Sequence, residues 1–140
     1  MSTAETPVAA AFRHPLRVYW EDTDAGGIVF YANYLKFFER ARTEWLRSLG
    51  IGQRELKEKT GGMFVVGKTT VRYLRAARLD DELLVTARLE SAGRASMIIA
   101  QSALRGGETL CEGTIRIGWV DAATLKPGRI PATVLEKLNR

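Results

Sequence analysis

Cysteine and histidine are nearly absent from this chain of 140 residues, which holds one of each, Cys111 and His14. A lone cysteine cannot close an internal disulfide, so stability has to come from packing. His14 precedes Pro15 outside every motif, which argues against a histidine-based triad, and no metal site is expected. Cys111 alternates with apolar positions and reads as a buried, inert thiol. Long hydrophobic runs are missing too. Stretches such as Met97-Ile98-Ile99-Ala100 are far too short to span a membrane, and the first residues, with Glu5 and Pro7, do not read as a signal peptide. A cytoplasmic location is the default expectation.

Acidic residues are also scarce in one region. Overall, 21 basic residues face 16 acidic ones, for a net charge of +5. Between Glu58 and Asp80, however, lie Lys59, Lys68, Arg72, Arg75 and Arg78 with no acid among them. Such a stretch suits phosphate, on nucleic acid or on a phosphorylated cofactor, or is simply a solvated basic face. No zinc-finger spacing, aromatic RNA-binding signature or basic coiled coil accompanies it, so no nucleic-acid partner is expected.

What is present is one core's worth of apolar residues, 46% of the chain, in a length that suits one domain. Residues 1–12 are weakly patterned and read as a loose extension, leaving 13–140 as the domain. Leu16 to Trp20 alternates and predicts a strand with Leu16, Val18 and Trp20 on one side. Tyr34, Phe38, Ala41, Trp45 and Leu49 recur at helical spacing, with Phe37 and Leu46 broadening the stripe. Gly50 then stops this helix of residues 34–49. Residues 53–59 suggest a further helical turn. The period next switches to strand over 63–74, 83–91, 95–104 and 110–120, with hairpin signals at Gly93-Arg94 and Gly106-Gly107. Pro131 opens a short terminal helix, 132–138. Strand, long helix and four hairpin-linked strands make an α+β protein. Its antiparallel five-stranded sheet is curved around one long central helix, the hotdog arrangement.

The segment Glu21-Asp22-Thr23-Asp24-Ala25-Gly26-Gly27 carries the chemistry. It sets two carboxylates and two glycines directly before the long helix. A helix start offers free N–H groups and partial positive charge to an electron-rich oxygen, while a nearby carboxylate attacks the adjoining carbon or activates water. Read alone, this suggests acyl-transfer hydrolysis. Gly26 and Gly27 allow an ordinary turn or close approach of a ligand. Asp22 reads as a structural partner, and Asn33 as a helix cap. Glu39 and Glu44 lie on the helix, where pairing with Arg42 or Arg40 competes with a catalytic role. Arg72, Arg75, Arg78 and Arg94 are the candidates for phosphate contact.

These motifs, with Tyr31-Ala32-Asn33-Tyr34, Phe38 to Glu44, Ala76 to Asp81 and the tail 121–131, resemble the hotdog-fold acyl-CoA thioesterases of the 4-hydroxybenzoyl-CoA thioesterase type. They are most similar to the branch associated with the bacterial Tol–Pal system. The resemblance runs from about Leu16 to Leu138. It implies hydrolysis of an acyl-CoA thioester, aliphatic or aromatic, to free acid and coenzyme A without metal or bound cofactor. Asp24 matches the catalytic carboxylate, as nucleophile or general base, and Tyr31 the position whose backbone N–H polarises the thioester carbonyl. Many Tol–Pal-associated members carry histidine where Tyr31 stands; the backbone donor survives that difference, whereas an imidazole role does not. The resemblance also implies a homodimer or homotetramer with sites between subunits, and acyl carrier protein as a possible partner. The rival reading is a non-catalytic subunit that binds acyl-CoA or acyl carrier protein in an envelope-lipid assembly.

Overall fold

The computed structural model describes residues 11–139. Its elements are β1 (Phe12–Arg17), α1 (Asn33–Ser48), α2 (Gln53–Thr60), β2 (Gly62–Tyr73), β3 (Glu82–Ala92), β4 (Ser96–Arg105), β5 (Glu108–Asp121) and α3 (Ala132–Leu138). The strands form one antiparallel sheet in the order β1-β3-β4-β5-β2. Its concave face wraps α1, because the strands alternate and the helix carries one apolar stripe. Leu83, Val85 and Ala87 of β3, Met97, Ile99 and Ala103 of β4, and Cys111, Ile115 and Ile117 of β5 are buried with Phe37, Phe38, Ala41, Trp45 and Leu46 of α1. Each large side chain so covered contributes about 1.5–3 kcal/mol relative to exposure. The expected hotdog architecture is borne out.

Four local expectations need correction. The first strand lies earlier than its alternation suggested, spanning Phe12–Arg17, and Phe12 pairs with Ala87. Residue 12 therefore belongs to the sheet, and residues 1–10 of the expected loose extension lie outside the described residues. Trp20 does not join the core; it is 76% exposed on a short 3-10 turn, Trp20–Asp22. The cause is the Asp22 carboxylate, which captures the Tyr19 N–H at 2.8 Å and bends the chain out of extended pairing. Asn33 does not cap α1: Ala32 occupies that position, no side chain caps it, and Asn33 is the first helical residue. Finally, Arg42 turns inward to Gln101, and Glu44 pairs with Arg47.

Three members of the basic stretch have acidic partners among the described residues. Arg75 meets Glu108 at 3.0 Å, Arg72 reaches Glu112 at 4.0 Å, and Lys59 pairs with Glu55. These are exposed pairs that add little stability individually. Among the described residues no helix is long and apolar enough to cross a membrane.

Candidate active site

Between β1 and α1 the chain makes a small hairpin. Thr23 bridges Val29, and the Asp24 N–H donates to the Ile28 carbonyl at 2.8 Å. Gly27 closes the turn by donating to the Asp24 carbonyl at 3.1 Å, with φ of 79°, a left-handed angle that glycine adopts without penalty. The Gly26 N–H donates to Asp24 Oδ1 at 2.8 Å, so one carboxylate oxygen is tethered to its own loop. The other accepts no hydrogen bond among the described residues, and the side chain is exposed. Asp24 is therefore both a turn former and a carboxylate with an available lone pair.

The returning limb of the hairpin runs through Phe30 and Tyr31 into α1. Tyr31 is 64% exposed, and its ring stands edge-on to Tyr73 of β2 with centroids 6.1 Å apart. Tyr34 packs on the same Tyr73 ring at 5.7 Å. Among the described residues the main-chain N–H groups of Tyr31 and Ala32 donate to no protein acceptor. They lie at the positive end of a sixteen-residue helix, where unpaired N–H groups favour an oxygen bearing negative charge.

Two long-range contacts hold the hairpin against the body of the fold. The Val29 N–H donates to the Ala77 carbonyl at 2.9 Å, and the Ala77 N–H donates to the Tyr34 hydroxyl at 3.1 Å. Burial pushes the Tyr34 phenol above its ordinary value. On the other side Asp22 is 4% exposed and accepts from the Asn33 amide at 2.8 Å. Sequence reasoning expected a structural Asp22 and found one. It missed the partner, because Asn33 before a helix has the same local signature whether it caps or reaches backward.

The remaining candidates are dispersed. Arg72, exposed near the end of β2, lies one residue before Tyr73 and so at the hairpin's end of the sheet. Arg94 lies in the β3–β4 turn, with its carbonyl accepting the Ile130 N–H at 2.8 Å. That turn is at the opposite end of β3 from Arg78, which bridges Ile28 of the hairpin, so one protomer does not bring Arg94 and Asp24 together. Glu39 opens on a cleft of about 340 Å³ between α1 and β2, shared with Arg42, Thr43, Phe64 and Val66. Cys111 is fully buried, and burial pushes its thiol up to about 12, which removes it from nucleophilic chemistry.

A five-stranded antiparallel sheet curved on one long helix is the hotdog fold. The model of the thioesterase-like superfamily matches residues 18–138, and the chain belongs to that family. The acyl-CoA thioesterase YbgC of Haemophilus influenzae is 42% identical over 123 residues, covering 88% of this chain and 90% of its own. The acyl-CoA thioester hydrolase YbgC of Escherichia coli is 39% identical over 130 residues, covering 92% and 96%. A probable thioesterase from Bartonella henselae superposes with a TM-score of 0.82 at 32% identity, covering 87% of this chain and all of that one.

Proposed function

We propose that the protein hydrolyses an acyl-CoA thioester to the free acid and coenzyme A, with Asp24 as the catalytic carboxylate and the Tyr31 N–H as oxyanion donor. One observation carries this reading. The unengaged oxygen of Asp24 and the unpartnered Tyr31 amide sit on the two limbs of one short hairpin. In the nucleophilic route an Asp24 oxygen bonds to the thioester carbon, the C–S bond breaks, and the thiolate departs. Water then cleaves the resulting anhydride. In the general-base route Asp24 takes a proton from the attacking water and returns it to the leaving sulfur. In both, negative charge develops on the former carbonyl oxygen, where main-chain N–H groups stabilise it.

The backbone at Gly26 and Gly27 lets substrate approach without a side chain in the way. Arg72, at the hairpin's end of the sheet, and Arg94, at its far end, are the proposed partners of the coenzyme A phosphates. A homodimer or homotetramer fits this reading, since β2 is an open edge strand and the rings of Phe30, Tyr31 and Tyr73 are exposed beside the site. A substrate carried on coenzyme A fits the cytoplasmic pool. The same thioester on acyl carrier protein belongs in the panel of substrates to be tried.

Thiol release from benzoyl-, short aliphatic and long-chain CoA thioesters tests the reading. Asp24→Asn should lower turnover by about 10² to 10⁴, the usual loss on removing an acid–base group. Turnover within about tenfold of wild type would exclude Asp24, and no thiol release from any substrate would favour a binding subunit instead.

A further inference from the structure

The buried pair Asp22–Asn33 has no counterpart in the chemistry just described, yet it spans the base of the catalytic hairpin. Asp22 Oδ2 accepts the Tyr19 N–H and Oδ1 accepts from Asn33 Nδ2, both at 2.8 Å. The Asp22 carbonyl accepts the Phe30 N–H at 2.9 Å, and the Phe30 carbonyl accepts the Asn33 N–H at 2.8 Å. Residues 22 and 33 thus enclose the whole segment that carries Asp24 and Tyr31. One functional group lies two residues inside each end. A buried carboxylate is costly unless donors surround it, and here two donors are aimed at it.

We infer that Asp22 and Asn33 are positioning residues, which set the angle between the Asp24 carboxylate and the Tyr31 amide by tying the first limb of the hairpin to the first turn of α1. The inference rests on the proposed role of Asp24. Its physical content is polarity as well as bulk. Both groups facing position 22 are donors, so an acceptor-only side chain fits. An amide there turns its own donors toward one of them, and the contact survives only if the Asn33 amide turns over to accept. Small displacements of a reacting group cost about 10²-fold in rate.

A swap separates this role from general stability. Asp22→Asn alone keeps the contact only if the Asn33 amide turns over to present its oxygen, whereas Asn33→Asp alone opposes carboxylate to carboxylate. Combined, the amide at 22 accepts from Tyr19 and donates to the carboxylate at 33, which the helix start favours. The measurements are kcat and KM for the fastest-turned-over CoA thioester, below the unfolding temperature of every variant, with Asp24→Asn in parallel. Asn33→Asp should lose about tenfold or more in kcat with little change in KM, Asp22→Asn should lose less, and the swap should recover to within about threefold. Asn33→Ala, which deletes the donor and leaves room for water, should lose kcat likewise and decides the matter if the swap does not fold. A folded Asn33→Asp variant with wild-type kcat, or a folded swap that stays as slow as Asn33→Asp, would overturn the positioning role. If those variants are unchanged while Asp24→Asn is dead, the positioning role alone fails. If Asp24→Asn stays active, the reading beneath it fails.

Discussion

The guanidinium of Arg42 reaches under the helix to donate to Gln101 Oε1 at 3.0 Å, joining residues 59 positions apart. Gln101, fully enclosed on β4, spends its amide nitrogen on the carbonyls of Phe38, at 3.0 Å, and Thr86, at 3.2 Å. Every polar atom of that side chain is thus engaged, and the contact locks α1 to the middle of the sheet. Burial pulls the Arg42 guanidinium below its ordinary value, while the nearby Glu39 charge resists the change.

Arg42→Met strands the Gln101 oxygen, and Gln101→Leu leaves two main-chain carbonyls and the guanidinium without it. Each should cost about 1–3 kcal/mol in urea unfolding, the penalty of an unsatisfied buried group. The double variant should lose less than the sum, because it removes both members of one network. Strict additivity would show that the two side chains are energetically independent.

Gly26 is a steric determinant of the site. A Cβ there would stand 3.2 Å from Asp24 Oδ1, closer than ordinary contact, and the yielding partner is the carboxylate itself. Gly26→Ala should therefore fold normally and lower kcat by about tenfold through displacement of Asp24. An unfolding temperature below wild type with unchanged kcat would place the effect in the loop alone.

The alkaline limb of stability should report the buried Cys111. Its thiol stands near 12 in the fold against 9.0 when free, and Tyr34 is raised from 10.0 as well. Above pH 9 the unfolded chain therefore releases these protons first and binds fewer than the folded one. The stabilising contribution of Cys111 is complete below pH 9 and declines as pH climbs toward 12. Cys111→Ala should flatten the loss of stability between pH 9 and 10.5 in urea titrations. Slopes identical to wild type there would remove Cys111 as its source. Thiol reagents at pH 8 should label the native protein only as fast as it opens.

Much of the architecture was legible because its signals are local. The helical stripe Tyr34–Phe38–Ala41–Trp45 and the alternation Leu83–Val85–Ala87 announce their periods over a few residues, and the faces they predict are the buried ones. Gly106-Gly107 sits where β4 turns into β5. Trp20 misled for the same reason. Alternation continues through it in sequence, while the hydrogen bond that ends the strand comes from a carboxylate two residues later.

The amino-acid order alone determined the α+β class, the order of the elements and the motif that ties the chain to thioester hydrolysis, since periodicity and turn chemistry act between near neighbours. Only the tertiary structure decided that Asp22 faces Asn33, that Arg42 runs inward to Gln101, and that Arg94 lies at the far end of the sheet from Asp24. Those outcomes depend on which distant groups arrive together when the sheet closes over α1. A side chain's polarity says what it requires, but the packed fold selects its partner.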